Sequence, residues 1–153
     1  MKNYSWHSMQ EDDLPQIEKI LLQTYPTLPE DIACARERLR LFPDGCYVLR
    51  SDGSDRIFGY VVSHPWQDLN VPPLSSLLRS LPISPEVYFI HDIALLPDVQ
   101  GIGAAKAILA QLSQVARRHY IKKFALVAMP MAESFWQSRG FRIVDKEAIR
   151  TTC

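Results

Sequence analysis

The sequence predicts a mixed α/β (α+β) fold, in which a central β-sheet is flanked by helices. Two patterns support this class. Short runs rich in Val, Ile, Tyr and Phe are typical of buried strands, and longer runs with apolar residues at i, i+3, i+4 and i+7 are typical of amphipathic helices. Both patterns recur along the chain, and they are clearest over residues 87–120.

Residues 87–120 predict a strand, a tight turn and a long helix in succession. Nearly every residue from 87 to 96 is apolar or aromatic, as in a strand buried on both faces. Pro97 ends this strand because proline has no N–H to donate to the sheet. Apolar residues then return with helical spacing, at Ala105, Ile108, Leu109, Leu112, Val115 and Ala116.

The residues before this central unit predict a strand, two helices and a two-stranded hairpin. We place them at residues 4–9, 14–25 and 32–42, and at 46–50 paired with 57–63. After the central unit, residues 123–128 predict a strand, a helix ends near Gly140, and residues 141–144 predict the last strand. Residues 1–153 are therefore expected to form a single domain, with a proline-rich insertion at about 63–85.

The composition argues against several functional classes. With 17 basic and 17 acidic residues, the chain has no net charge to attract nucleic acid or an anionic membrane. No apolar run reaches the ~20 residues that cross a bilayer, and the N-terminus lacks the apolar core of a signal peptide. Cys34, Cys46 and Cys153 are irregularly spaced and form no C-x-x-C motif. We therefore expect a cytoplasmic protein with free thiols, no metal site, and no nucleic-acid or membrane partner. A nucleophilic cysteine is the alternative, although no base is paired with one in the sequence.

The turn at residues 100–105 has the composition of an anion-binding loop. Helix N-termini present unpaired N–H groups, and glycine lets a phosphate approach them without a Cβ in the way. A P-loop would need Gly-Lys-Ser/Thr, and a dinucleotide loop would need a small residue where Lys106 stands. Gln100, Gly103 and Ala105 instead complete the pattern Q/R-x-x-G-x-G/A. The alternative is a glycine-containing turn that binds no ligand.

This pattern resembles motif A of the GNAT superfamily of acyl-CoA-dependent N-acetyltransferases, including its upstream proline. A second pattern, Phe135-Trp136-x-x-x-Gly140-Phe141, resembles the family's motif B, and both occur in the expected order within residues 87–144. The resemblance implies a GNAT fold with a mixed central sheet of about six to seven strands. It also implies acetyl-CoA as co-substrate, with main-chain N–H groups of the loop on its pyrophosphate. The residues that it assigns to the coenzyme are Ile93, Ala94, Leu95, Gln100, Gly101, Ile102, Gly103, Ala104, Ala105 and Trp136.

Trp136 departs from the family pattern, which usually has a tyrosine at this place. In much of the family that tyrosine is the general acid that protonates the departing thiolate, whereas an indole N–H does not ionise. Expelling a thiolate of pKa about 8.5 without an acid forgoes only about 2 kcal/mol at neutral pH. Another tyrosine, such as Tyr88, is a possible substitute. The departure weakens the assignment of an acid but does not exclude catalysis.

His91 is the best candidate for a general base. An alkylammonium must lose a proton before its nitrogen attacks a thioester, and an unperturbed imidazole titrates at about 6.5. In a regular strand, His91 would share a face with Phe89, Ile93 and Leu95, and Asp92 would face the other way. The arylalkylamine N-acetyltransferases, a branch of the family, have two histidines on this strand; His91 corresponds to the second, and Phe89 replaces the first. The alternative is a core histidine that donates to a backbone carbonyl.

Candidate contacts to the acceptor come from three places. In the family, the loop between the two early helices lines the acceptor side, so Tyr25 is one candidate, with a packed tyrosine as the alternative. His64 and Trp66 begin the insertion and could meet the acceptor, Trp66 by offering its ring to a cation, and Phe89 is a further candidate. Asp92 could receive an ammonium, or it could anchor a neighbouring backbone or arginine.

The insertion at 63–85 contains five of the eleven prolines, where the fold needs only a short turn. Leu74, Leu77, Leu78 and Leu81 have spacing that predicts a one- or two-turn helix. Long connections in compact domains are usually functional lids or disordered linkers, and the leucines argue against disorder. We interpret the insertion as a cover over the acceptor site; a packed flap or a dimer contact is the alternative.

These observations predict an acyltransferase that moves an acetyl group from acetyl-CoA to the primary amine of a small molecule, by direct attack with His91 as base. One alternative is a protein N-terminal or lysine acetyltransferase. The other is a catalytically silent acyl-CoA sensor, which the tryptophan at position 136 keeps open. The resemblance also makes a homodimer plausible.

Overall fold

The computed structural model describes residues 3–129 and 132–142. Their five strands form one mixed sheet in the order β1-β2-β3-β4-β5. The strands are β1 (Tyr4–Ser8), β2 (Cys46–Ser51), β3 (Ile57–Trp66), β4 (Val87–Leu95) and β5 (Phe124–Leu126). The helices are α1 (Leu14–Thr24), α2 (Ile32–Leu41), α3 (Ala104–Arg118) and α4 (Glu133–Ser138).

Neighbouring strands from β1 to β4 pair antiparallel, whereas β4 and β5 pair in parallel. The parallel pair follows from the connection, because α3 carries the chain back across the sheet between the two strands. The described residues contain five strands rather than the expected six to seven. The last predicted strand, at 141–144, is not formed at residues 141–142, and residues 143–144 lie outside the described part of the chain.

Helices cover both faces of the sheet. The apolar sides of α1 and α2 pack on one face, in a core that includes Ile17, Leu39 and Tyr60. The apolar side of α3 packs on the other face through Ile108 and Leu112, against Tyr88 of β4. Alternating side chains of β4 are thereby buried on both faces, which confirms the interpretation of its apolar sequence. None of the helices in the described ranges is long and apolar enough to span a bilayer.

The predicted insertion has different bounds and a different conformation. Residues 63–66 continue β3, so the irregular segment runs from 67 to 86, and the helix predicted from the leucine spacing is absent from it. Ser75 and Arg79 have φ values of 59° and 73°, a left-handed conformation that interrupts a right-handed helix. The segment is instead held to α2, because the Glu37 carboxylate accepts the backbone N–H groups of Leu78 and Arg79 at 2.6 and 2.9 Å.

Two of the three cysteines lie within the described residues, and both are buried free thiols. Burial raises the pKa of Cys34 to about 11 and that of Cys46 to about 12. Since the thiolate is the nucleophilic form, neither side chain is suited to nucleophilic catalysis. Cys153 lies outside the described residues.

Candidate active site

The glycine loop has the geometry of a ligand-binding turn. Gly101 and Gly103 adopt φ values of 78° and 89°, which side chains rarely tolerate. A Cβ built on either glycine would meet no atom within 4 Å, so the space in front of the loop is open. Gly103 is the N-cap of α3, and the first helical bond runs from Ala107 N to Gly103 O at 3.0 Å. The earlier N–H groups of the first turn have no acceptor within the helix and are available to an anion.

Two side chains fix this loop by hydrogen bonds, and three others lie in or beside it. Gln100 donates to the carbonyl of Leu95 at 3.1 Å, which ties the loop to the end of β4. Trp6 of β1 donates to the carbonyl of Ala104 at 3.0 Å and holds the start of α3. The side chain of Ala104 is buried, whereas Ile102 is exposed beside the glycines. Ala105 is partly buried in the first turn. The loop therefore offers an incoming phosphate mainly backbone groups.

The sheet opens between β4 and β5. The two strands pair only where Tyr88–Ile90 faces Phe124–Leu126, and β4 continues to Leu95. Ile93, Ala94 and Leu95 pair on their other side with β3, so this end of β4 leaves a cleft towards β5. The resemblance assigns these three residues to the coenzyme, and they form the end of β4 that lies beyond its pairing with β5.

A β-bulge at His91 changes the predicted alternation of side chains along β4. Val62 pairs with Asp92 and Ser63 pairs with Ile90, so His91 is the extra residue. His91 and Asp92 consequently both face the side of the sheet that α1 and α2 cover, where they bond to Glu30 and Tyr25, respectively, in the connection between the two helices. The prediction that Asp92 faces away from His91 is therefore wrong.

The bulge also changes which side of the sheet Ile93 and Leu95 face, relative to His91. Ile93 packs with the α3 core, and Leu95 packs with Val99 and Ala104 at the start of α3. These two residues therefore do not share a face with His91, contrary to the strict alternation that a regular strand imposes.

The imidazole of His91 bonds to a carboxylate. Its Nε2 lies 2.6 Å from Oε1 of Glu30, and only 11% and 12% of the two side chains are exposed. The other carboxylate oxygen of Glu30 accepts the backbone N–H of Ser75 at 3.1 Å. Burial by itself would raise the pKa of Glu30, but the bond and charge of His91, with smaller effects of Ser75 and Arg38, hold that pKa below its ordinary value. Glu30 is therefore ionised at neutral pH.

Asp92 is held by two phenols. Its carboxylate accepts the hydroxyl of Tyr25 at 2.9 Å and that of Tyr60 at 2.5 Å. Burial raises the pKa of Asp92 above its ordinary value, although both bonds favour the ionised form. Burial, with the charge of Asp92, also raises the pKa of both tyrosines. The two phenols therefore remain protonated donors to the carboxylate.

These groups line a cavity of about 290 Å³. Of the predicted site residues, the cavity brings together His91, Tyr25, Phe89 and Trp136, and Ile93 lies on its wall. Its other lining residues are Leu28, Glu30, Val71, Pro72, Leu74, Ile90, Asp92, Leu126, Val127, Met129 and Ala132. The irregular segment supplies three of these, Val71, Pro72 and Leu74, and so forms one wall.

His64 and Trp66 do not line this cavity. His64 is fully buried, its Nδ1 lies 2.9 Å from the carbonyl oxygen of Pro65, and its ring packs on Phe89 and Trp66. Burial lowers the pKa of His64 to about 3, so the ring is neutral at ordinary pH. Trp66 donates its indole N–H to the carbonyl of Asn70. His64 thus packs against Phe89, which lines the cavity, and a contact of either side chain with the acceptor stays a prediction.

Trp136 and Tyr88 differ in their access to the cavity. Trp136 of α4 is buried, lines the cavity and packs edge-on against Phe135 and Phe141. Tyr88 is fully buried on the α3 face, and its hydroxyl lies 2.7 Å from that of Ser63. Tyr88 therefore has no route to a departing thiolate in the cavity.

Sequence reasoning missed Glu30 and Tyr60 as members of the site. Glu30 follows Pro29 at the start of α2, where an acidic residue is ordinary, and its partner is 61 positions away. Tyr60 lies in an apolar strand where a packed tyrosine is the usual interpretation.

No group of three or more potential metal ligands occurs within residues 3–129 and 132–142.

Comparisons with known proteins agree on one family. The model of the acetyltransferase (GNAT) family matches residues 5–141. A Pyropia yezoensis protein, named as the uncharacterized N-acetyltransferase ycf52, is 36% identical over 61 residues, which are 40% of this chain and 34% of that protein. The chain thus aligns with about a third of that relative's length.

Two solved structures illustrate the similarity of fold. One is aminoglycoside N-acetyltransferase AAC(6')-Iy in complex with a bisubstrate analog, with a TM-score of 0.67 and 20% identity over 94% of this chain and 93% of that one. The other is the NatC complex bound to Gag peptide and CoA, with a TM-score of 0.71 and 18% identity over 94% and 87%. At these identities the likeness concerns the fold.

Proposed function

The chain belongs to the acetyltransferase (GNAT) family, and from this premise we propose that it transfers the acetyl group of acetyl-CoA to a primary amine of a small molecule. The observation that carries the proposal is the hydrogen-bonded pair of His91 and Glu30, which lines the cavity where β4 and β5 separate. A basic group in a cleft of this kind suits an amine that must lose a proton before it attacks.

The glycine loop supports binding of the coenzyme. Both positive-φ glycines face open space, and the first turn of α3 offers N–H groups that suit a pyrophosphate. Residues 93–95 and Trp136 would flank the arm of the coenzyme in this proposal, because Ile93 and Trp136 line the cavity and residues 93–95 end the strand that leads to the loop. Bound there, acetyl-CoA supplies the activated acetyl thioester.

His91 acts as the general base in this proposal. Because Nε2 is bonded to a carboxylate that only accepts, it carries the hydrogen, and Nδ1 is left as the nitrogen that takes a proton from the ammonium. The negative charge of Glu30 then stabilises the imidazolium that forms. A positioned base contributes about 10²- to 10⁴-fold to such reactions.

The shape of the cavity favours a small acceptor. Val71, Pro72 and Leu74 wall one side, and the segment that carries them is fixed to Glu30 and Glu37 by backbone N–H groups. A protein acceptor needs an open groove for its chain, and this wall narrows the approach. The alternative of a protein N-terminal or lysine acetyltransferase is therefore the weaker one.

A silent acyl-CoA sensor is the second candidate, and Trp136 is the observation that favours it. Trp136 lines the cavity at the place where the family usually has an acidic tyrosine. Catalysis without that acid is still feasible, because a thiolate of pKa about 8.5 costs only about 2 kcal/mol to expel at neutral pH.

Release of CoA, measured with a thiol reagent against a panel of amines, tests the proposal. We expect release that depends on the amine, with the N-acetylated product identified by mass spectrometry. The panel should include a hydrophilic aminoglycoside, apolar monoamines and peptides with free N-termini. Calorimetric binding of CoA without release above the hydrolysis background would instead identify a sensor, and preference for peptides would identify a protein acetyltransferase.

A further inference from the structure

The residues that line the cavity include exposed apolar side chains. Its inner wall contains the buried rings of Phe89 and Trp136, whereas three other lining residues, Leu28, Met129 and Leu74, are 66%, 50% and 40% exposed. We call these three the apolar rim. Exposed apolar groups clustered around an opening usually mark a binding surface. A ligand that only filled the inner cavity would leave the rim in water.

The inner part of the cavity carries ionisable groups instead of apolar ones. The carboxylates of Glu30 and Asp92 lie on its wall beside His91. Glu30 is ionised, because its contacts with His91 hold its pKa below the ordinary value. A single ammonium group is complementary in charge to this part of the cavity. The other lining residues have no acidic group, so a second cation placed against them would have no charged partner.

The apolar rim disfavours an acceptor whose part outside the amine group is polar. Hydroxyl groups or peptide bonds placed against the side chains of Leu28, Leu74 and Met129 would lose water without gaining a normal hydrogen bond, since none of these side chains has an N–H or O–H group. An alkyl or aryl body placed there removes apolar surface from water on both partners. The charged amine group and the apolar remainder of an acceptor would therefore contact different residues of the same cavity lining.

We propose that the acceptor is an amphiphilic monoamine, whose ammonium head enters the cavity and whose apolar body is longer than the cavity and lies on the rim formed by Leu28, Leu74 and Met129. This inference rests on the proposed function and names the substrate class of the same site. It extends that function because a short amine would satisfy the chemistry but would not cover the rim.

A homologous series of n-alkylamines, from propylamine to decylamine below their micelle concentrations, tests the inference. We expect kcat/KM to rise about twofold to threefold per added methylene while the tail covers the rim, and then to level off. Leu28→Ser should flatten this rise. Leu22→Ser is the matched control, because Leu22 is 49% exposed on α1 but does not line the cavity, and it should leave the rise unchanged.

The outcomes separate this inference from the proposed function. Acetylation of every amine with no dependence on chain length, or a rise that Leu28→Ser does not alter, would overturn the amphiphilic acceptor and leave amine acetylation intact. A peptide with an apolar N-terminal residue that outperforms an alkylamine of equal apolar area would also overturn it. If no amine and no peptide releases CoA, the proposed function itself fails, and the inference fails with it.

Discussion

The Glu30 carboxylate touches both His91 and the segment that walls the cavity. Oε1 lies 2.6 Å from Nε2 of His91, and Oε2 accepts the backbone N–H of Ser75 at 3.1 Å. The side chain of Ser75 in turn accepts the N–H of Asp31 at 3.1 Å. Glu30, which lies just before α2, therefore links the candidate base on β4 to residues 67–86. The position of the base and the position of the wall are fixed by one carboxylate.

Replacing Glu30 tests whether it positions the base. In the proposed reaction, Glu30→Gln keeps the size of the side chain but removes the charge that stabilises the imidazolium and the preference for hydrogen on Nε2. We expect kcat to fall by about 10- to 100-fold with a smaller change in the KM for acetyl-CoA. The ¹⁵N shifts of His91 should also show a changed tautomer ratio.

Glu37→Gln is the control for loosening of the wall. Its carboxylate also accepts backbone N–H groups of the segment, from Leu78 and Arg79, and its third bond is to the guanidinium of Arg38 rather than to His91. Thermal unfolding of both variants would show whether their stability losses are similar. If Glu37→Gln lowers kcat and alters the His91 shifts as much as Glu30→Gln does, Glu30 acts only through the wall.

Replacing His91 tests the base itself. His91→Gln should lower turnover at neutral pH by at least about tenfold, because a positioned base contributes about 10²- to 10⁴-fold. The affinity for CoA, measured by calorimetry, should not change, because the glycine loop is nine or more residues further along the chain and does not line the cavity that contains His91. The pH profile of the variant should rise more steeply with pH, since only amine already deprotonated in solution can react. Unchanged turnover would show that His91 is not the general base.

Gly103→Ala tests the coenzyme loop and has a matched control. Gly103 and Gly53 have φ values of 89° and 75°, and a Cβ on either would meet no atom within 4 Å. Alanine should therefore cost a similar ~1–2 kcal/mol of stability at each site through backbone strain. Only the substitution at Gly103 places a methyl group where a pyrophosphate would approach the backbone. We expect CoA affinity to fall at least about tenfold for Gly103→Ala and to stay unchanged for Gly53→Ala. Equal effects of the two on affinity would contradict a coenzyme site at this loop.

The parts of the fold that the sequence predicted correctly are those fixed by local pattern. The stripe of α3 and the order of the elements follow from residues three, four or two apart, and these are short-range properties of the chain. The glycine loop was predictable for the same reason, because Gly101 and Gly103 are close in sequence and each has a conformational role.

The parts that could not be predicted depend on distant contacts. An apolar strand gives no signal of the extra residue at His91, since both faces of β4 are buried and alternation leaves no polar marker. The bond between Glu30 and His91 likewise arises only after α2 packs on the sheet. In residues 67–86 the leucine spacing suggested a helix, but bonds to Glu37 and left-handed residues at Ser75 and Arg79 impose an irregular path.

His64 predicts a specific loss of stability in acid. Burial lowers its folded-state pKa to about 3, from an ordinary value of 6.5. The unfolded chain therefore binds a proton on this ring below about pH 6.5, whereas the folded chain does not until about pH 3, so stability falls as the pH drops through that window. Between pH 7 and pH 5, this one group should lower the free energy of unfolding by about 2 kcal/mol.

The measurement is urea unfolding of the protein and of His64→Phe at the two pH values. The phenyl ring suits the aromatic surroundings of Phe89 and Trp66, and it cannot titrate. We expect the variant to lose about 2 kcal/mol less than the unaltered protein over this interval. Asp92, whose raised pKa adds stability as the pH falls, is present in both proteins and cancels in the difference. Identical pH dependence of the two proteins would mean that the ring at position 64 is reached by water and is protonated in the folded state, which would place it back among the candidates for contact with the acceptor.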